Sequence, residues 1–238
     1  MTIAHMNWQD VERAVAHDNR CVLPIGSTEQ HSNLSLCVDS ILAERVATEA
    51  AAPLGVPVFP VMPYGLAPYF TAYPGTITLR LETLMAVIRD VVQSLHGAGF
   101  RRILIVNGHG GNTPVEALVR EIMAESPAAS IKFHSWWSAP KTWAKVQEID
   151  PSGTHANWME NFPWTRLEHA PAPAGAKPPV DKSLMMASNP AGVRDLLADG
   201  SFGGPWQRAD EDMLALWKVG VAETREALEG PWPAAQAS

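Results

Sequence analysis

Gly99-Phe-Arg-Arg-Ile-Leu-Ile-Val-Asn-Gly-His-Gly-Gly-Asn112 is the stretch that decides the fold. Its centre, Ile103–Val106, is an apolar run of strand length, placing a strand over Arg102–Asn107. The run stops at three glycines within five residues, which implies tight turns and close approach of a ligand. Upstream, Leu81–His96 has the apolar period of an amphipathic helix and closes at Gly97. Downstream, Thr113–Ser126 is the next helix, with Thr113 and Glu116 spaced as a capping box. Further out, strands are expected at Cys21–Ile25, at valine-rich Val56–Met62 and at Ile131–Trp136. Helices are expected over Asp39–Ala52, Asn189–Leu197 and Glu211–Leu228. Strands alternating with helices predict a mostly parallel sheet covered on both faces, an α/β class. Ligands in such sheets bind beyond the carboxyl ends of the strands. The chemistry is therefore expected just after Ile25, Met62, Val106 and Trp136.

The 238 residues fit one domain with a core that needs no staples. Apolar residues make up 46% and charged ones 18%, a globular balance. The net charge of −7 and the lack of a basic patch argue against nucleic-acid and anionic-membrane partners. No apolar run is long enough to span a membrane, and Met1–Gln9 lacks the pattern of a secretory signal. Cys21 and Cys37 cannot make a disulfide framework, so free thiols in a reducing cytoplasm are expected. The stretch Pro171–Pro179, PAPAGAKPP, reads as a loop within one domain.

Three clusters could carry chemistry. The first is Gly26-Ser-Thr-Glu-Gln-His31 with Asp39. Glu29 and His31 are two apart, so both point the same way from an extended segment. Two carboxylates and an imidazole suit a divalent ion such as Zn, Mn or Fe. Asp39 could equally N-cap its helix, and His31 could be an ordinary loop histidine. The second is His109 within its glycines. A phosphate loop is the rival there, but the Walker lysine and G-x-G-x-x-G are absent. The third is Gly153-Thr-His155-Ala-Asn-Trp-Met-Glu160, where the histidine could serve as general acid or base. On a helix His155 and Glu160 would converge only partly, and a surface helix is the plain alternative. Trp136, Trp137, Trp143, Trp158 and Trp164 fall near these clusters and suit either an aromatic wall or the core.

Taken together, these segments resemble the creatininase family of creatinine amidohydrolase-like metal hydrolases. The resemblance runs through LPIGSTEQH (Leu23–His31), Asp39, PGTITL (Pro74–Leu79), Gly99–Asn112, His155 and Glu160. It implies a three-layer α/β/α sandwich with a mostly parallel sheet, and one or two divalent ions per chain. It implies Glu29, His31, Asp39 and His109 as metal ligands, with Asp39 able to bridge two ions. It implies His155 as a catalytic histidine and Glu160 as a ligand or proton carrier. Family members act on small molecules and assemble as hexamers, so a homo-oligomer is expected.

The chain also departs from the family pattern. After the first histidine the family runs G-P-H-L-P, but this chain has the shorter Ser32-Asn-Leu-Ser35 without a second histidine. Gly110-Gly111 stands where creatininase has Tyr-Glu, so a second ion would need Glu160. The usual G-x-S-x-E-H reads Gly65-Leu-Ala-Pro-Tyr-Phe70, apolar or aromatic where polar substrate contacts are usual. The function expected is opening of a small cyclic substrate by metal-activated water, at the C–N bond of a cyclic amide rather than in creatinine itself. The alternative is hydrolysis of a C–C bond in a cyclic polyol ketone of the keto-inositol kind, which some relatives catalyse. A non-catalytic metal- or sugar-binding protein is a third reading.

Overall fold

Alternation of side chains along three short strands sets the architecture. The structure is a computed structural model that describes residues 1–233. Strands β1 (Arg20–Ile25), β2 (Arg102–Asn107) and β3 (Ser130–Ser135) form a parallel sheet in the order β1-β2-β3. Cys21, Leu23, Ile25, Ile103 and Ile105 point to one face. They pack against Leu84, Ile88 and Val92 of one helix and Val115, Val119 and Ile122 of another. Those helices are the expected Leu81–Gly97 and Val115–Glu125. Val22, Leu104 and Val106 point to the other face, against the helices Val38–Ala51 and Asp210–Glu229. The result is the expected α/β/α layering. Ile105 and Val106 are fully buried on opposite faces of the sheet. Truncating either to alanine costs roughly 1–5 kcal/mol.

In chain order the helices are α1 (Trp8–His17), α2 (Val38–Ala51), α3 (Leu81–Gly97), α4 (Val115–Glu125), α5 (Pro140–Ile149), α6 (Lys182–Met186), α7 (Pro190–Leu197) and α8 (Asp210–Glu229). Among them, α1, α5 and α6 carried no sequence expectation. Two expectations differ from the structure. Val56–Met62 is no regular strand. It lies parallel beside β1, joined by Val22 N–H to the Pro57 carbonyl, Phe59 N–H to the Val22 carbonyl and Met62 N–H to the Pro24 carbonyl. Pro57 and Pro60 lack the amide hydrogen a full ladder needs, so only isolated bridges survive. The capping box at Thr113 does not form either. Pro114 takes the cap position, the Thr113 hydroxyl donates to the Gly110 carbonyl, and Glu116 pairs with Arg120.

The proline-rich stretch is tied down in part. Ala176–Lys177 pairs antiparallel with Gly204–Pro205, and Lys177 Nζ donates to Asp199 at 2.5 Å and to the Ser201 carbonyl at 2.7 Å. This brings residues 197–206 beside the carboxyl ends of the strands, where the Phe202 amide donates to the His155 carbonyl. No described helix is long and apolar enough to cross a membrane.

Candidate metal centre

Two glycines at strand ends let helix α2 approach the sheet. A Cβ at Gly108 would overlap the Asp39 carbonyl oxygen, and one at Gly26 would lie 2.6 Å from Ser40 Cα. Only at this distance does the first turn of α2 place the Asp39 carboxylate over the ends of β1 and β2. Glu29 and His31 follow β1 in an extended loop, and both point inward as their spacing of two requires. That loop is backed by the PGTITL segment. Thr76 Oγ1 accepts from Gln30 N–H at 3.1 Å, and Ile77 N–H donates to the Thr28 carbonyl. His109 follows β2 and is fixed by Asn107, which accepts from its N–H at 3.0 Å and donates to its carbonyl at 2.9 Å.

These side chains form three overlapping groups: Glu29, His31 and His155 make one, and the other two share Asp39. Of those two, Glu29, Asp39 and His109 are one; His31, Asp39 and Glu160 are the other. His109 Nδ1 lies 3.2 Å from Glu29 Oε1 and 3.1 Å from Asp39 Oδ2. His31 Nε2 lies 3.1 Å from Asp39 Oδ1 and 3.7 Å from Glu160 Oε2. The two oxygens of Asp39 thus serve different groups. Donor atoms about 3 Å apart are what a divalent ion with bonds of about 2.0–2.2 Å collects around itself. Two further facts fit an ion. His31 Nε2 and Asp39 Oδ2 are buried without a hydrogen-bond partner, a cost that a ligand removes. The far nitrogens of both rings are tied to backbone carbonyls, His31 Nδ1 to Glu29 at 3.1 Å and His109 Nε2 to Leu66 at 2.7 Å. Each carbonyl takes the ring proton and leaves the inward nitrogen free to ligate.

Electrostatics within the cluster is that of charges removed from water. Burial raises the Glu29 carboxyl above its ordinary value and lifts Glu160 to about 7. Burial opposes the Asp39 carboxylate too, but the His31 and His109 imidazoles hold it below the usual range. Burial opposes the charge on His31, yet Asp39 and Glu160 raise it to about 10. His155 is held well below its ordinary value, by burial first and the neighbouring His31 second.

His155 and Glu160 come together although their segment is not a helix. Ala156 is left-handed at φ 55, and Asn157 accepts from Met159 N–H at 3.0 Å. This bend returns the Glu160 carboxylate to the Ala156 amide at 2.6 Å. His155 Nδ1 then sits 3.9 Å from Glu29 Oε1 and 4.0 Å from Glu160 Oε2. Its ring packs on Phe70, stacked at 4.8 Å, and on Phe202, tilted at 4.8 Å.

A cavity of about 430 Å³ opens onto these groups. Its aromatic walls are Tyr69, Phe70, Trp137, Trp143 and Phe202, with Lys182 at its border. Of the five tryptophans near the clusters, Trp136 and Trp158 are buried in the core, Trp164 packs against it, and only Trp137 and Trp143 line the cavity.

The sequence matches the creatininase family, described as creatinine amidohydrolase, over residues 4–229. The chain belongs to the creatininase family. Creatinine amidohydrolase of Pseudomonas putida is 28% identical over 164 residues, 63% of each chain. The 3-dehydro-scyllo-inosose hydrolase of Thermotoga maritima is 26% identical over 147 residues, 60% of this chain and 47% of that one. A mycofactocin precursor peptide peptidase of Mycolicibacterium smegmatis is 34% identical over 108 residues, 42% of each. The chain therefore matches less than two thirds of the length of these relatives. A manganese creatininase structure superposes with a TM-score of 0.78 at 21% identity, over 96% of this chain and 97% of that one. A creatininase variant in a zinc–zinc form gives a TM-score of 0.75 at 22% identity, over 96% of each chain. At that identity the likeness shows the fold.

Against this family background the departures acquire physical reasons. A Cβ at Gly111 would overlap the Leu66 carbonyl oxygen and the His109 ring, so no side chain fits where creatininase has glutamate. Leu66 and Phe70 are buried, and Phe70 packs on His155 rather than offering a polar contact. Ser32, at the position of the family's glycine, is left-handed at φ 55. The shortened loop still delivers His31 to Asp39. Gln30, Gly200, Phe202 and Lys182 also reach the centre or its cavity, and no sequence signal pointed to them.

Proposed function

We propose that this chain is a metal-dependent hydrolase that opens a small cyclic amide at its C–N bond. The observation that carries the reading is Asp39, whose two carboxylate oxygens face two separate ligand groups. Glu29, Asp39 and His109 would hold one divalent ion, and His31, Asp39 and Glu160 a second. Bound ions supply an acidified water at neutral pH and polarise a carbonyl oxygen. The remaining work falls to the chain's own side chains. Tyr69, Trp137 and Trp143 offer flat apolar faces to a planar ring and exclude bulk water. His155, beside both ligand groups yet 3.9–4.0 Å from their carboxylates, is placed to pass to the nitrogen that leaves, as the C–N bond breaks, the proton that the attacking water gives up. Glu160 is assigned to the metal, because its Oε2 faces His31 and is braced by the Ala156 amide.

A second reading keeps the same centre and cleaves a C–C bond in a cyclic polyol ketone, with His155 protonating the departing carbon. Identity to the Thermotoga enzyme supports it. The amide is preferred for the flat aromatic faces of Trp137 and Trp143, while Tyr69, Ser138, Thr154 and Lys182 on the same walls could serve a polyol. Steady-state assays of the zinc- and manganese-loaded protein on a panel of cyclic amides, hydantoins, keto-inositols and short peptides test both readings. Turnover of the keto-inositols alone overturns the first, and turnover of none overturns both. The same proposal includes one domain, a cytoplasmic location and a homo-oligomer, hexameric by family habit. Light scattering that gives a 25.8 kDa particle at micromolar concentration would refute the last.

A further inference from the structure

Gln30 lies between two candidate ligands but points away from both. Its amide is fixed by two partners of unambiguous kind. Oε1 accepts from the Ser32 backbone N–H at 3.2 Å, and a backbone N–H can only donate. Nε2 donates to the Gly200 carbonyl at 3.0 Å, and a carbonyl can only accept. The carboxamide therefore cannot be reversed without losing both bonds. Its second N–H points at His155 Nε2, 2.9 Å away.

We propose that Gln30 is a positioning residue that fixes His155 as the Nδ1–H tautomer. An amide N–H aimed at Nε2 requires a lone pair there, so the neutral ring must carry its proton on Nδ1. Nδ1 is the nitrogen that faces Glu29, Glu160 and the cavity. In its resting state His155 thus faces the reacting centre with an N–H hydrogen-bond donor and not a lone pair, which sets it apart from His31 and His109. In those rings a backbone carbonyl takes the outer proton, and the inward nitrogen faces the carboxylates as the one that would ligate an ion. In His155 a donor occupies the outer nitrogen and the inward one is protonated. One centre therefore holds rings of both kinds, two candidate ligands and one N–H hydrogen-bond donor, sorted by whether the outer partner is a carbonyl or an amide. Segment 197–206 completes the device. A Cβ at Gly200 would overlap Gln30 Oε1, so only glycine lets its carbonyl reach the amide. Phe70, Phe202 and His31 pack against the ring. The role of this proton in turnover rests on the hydrolase reading, but the tautomer rests on the hydrogen bonds alone.

The test is imidazole nitrogen NMR on full-length protein labelled with ¹⁵N-histidine, measured both metal-free and loaded with diamagnetic zinc. The spectrum of His155→Gln assigns the ring among the eight histidines. Wild-type His155 should show protonated Nδ1 and bare Nε2 in both states. Gln30→Glu, which can only accept, should place a proton on Nε2, as the neutral ring or the imidazolium. Gln30→Met, which offers nothing, should populate both tautomers. Unchanged resonances of His134 report that each variant is folded, and the wild-type spectrum decides the tautomer by itself. A wild-type ring protonated on Nε2, a zinc-bound Nδ1, or variants that leave the pattern unmoved would each overturn the proposal. Zinc analysis and the substrate panel on the same wild-type sample separate its failure from failure of the hydrolase reading.

Discussion

Nε2 of His109 lies 2.7 Å from the carbonyl oxygen of Leu66 and donates to it, which turns Nδ1 toward Asp39 and Glu29. A ring fixed in this way is prepared for a cation. Protein purified without chelators should therefore carry Zn, Mn or Fe. Stripping it should lower the thermal midpoint, and adding Zn or Mn back should restore it. At a thousandfold excess over Kd the gain is about 4 kcal/mol. Elemental analysis with parallel melting curves checks this. Fewer than about 0.2 ions per chain, with no shift on adding metal, would sink the assignment.

The Leu66 contact also makes a prediction about Gly111. A Cβ there would overlap both partners of that hydrogen bond. Gly111→Ala should destabilise the fold by about 1–3 kcal/mol and weaken metal binding by about 10–100-fold, because the bond orients a ligand. Gly111→Glu, which restores the creatininase residue, should do the same and gain no third carboxylate ligand. Urea unfolding and zinc titration decide. A Gly111→Glu variant that binds metal more tightly than wild type would refute the steric reading.

Creatinine should be a poor substrate. The glutamate of creatininase is missing at Gly111, and Phe70 covers His155 where a polar contact is usual. A kcat/KM for creatinine at or above about 10⁴ M⁻¹s⁻¹ would show that these differences do not matter.

Much of this centre was legible because its ligands cluster at strand ends. Glu29, His31 and His109 each follow an apolar run, and the glycines beside them announce close packing. Other parts were not legible, for physical reasons. Val56–Met62 has strand composition, but Pro57 and Pro60 remove the donors that a ladder needs. The bend at Ala156 depends on one left-handed residue and one asparagine side chain, so helical spacing misjudged how well His155 and Glu160 converge. Gln30 meets Gly200 across 170 residues of chain, a pairing that no local pattern encodes.

His134 gives a pH-dependent prediction away from the centre. Burial depresses its pKa to about 4, and Nε2 contacts Thr224 Oγ1 at 3.0 Å. The unfolded chain takes up this proton near the ordinary value of about 6.5. Its contribution is thus complete above that pH and is lost as pH falls toward 4, by on the order of 2–3 kcal/mol. His134→Gln keeps a partner for Thr224 and cannot titrate. It should flatten the acid limb of stability between these values, as read by urea unfolding at a series of pH. Identical acid limbs for variant and wild type would contradict the burial argument.

The strongest contrast lies between His109, a buried ring, and His155, a partly exposed one, at one centre. His109 Nδ1 is within 3.2 Å of both Glu29 and Asp39, whereas His155 Nδ1 is 3.9–4.0 Å from its nearest carboxylates. The first spacing suits shared coordination, and the second leaves room for a reacting group. His109→Ala should lose both metal and turnover, since it removes a ligand and leaves Glu29 and Asp39 buried without their cation. His155→Ala removes no coordination bond and should keep the metal and the fold. Its kcat should fall by roughly 10²–10⁴-fold, the size of a general acid contribution, while KM moves little. Paired elemental analysis and kinetics, on whichever substrate the panel identifies, distinguish the roles. Loss of metal from His155→Ala would make it a ligand like His109, and full activity would make it a packing residue against Phe70 and Phe202.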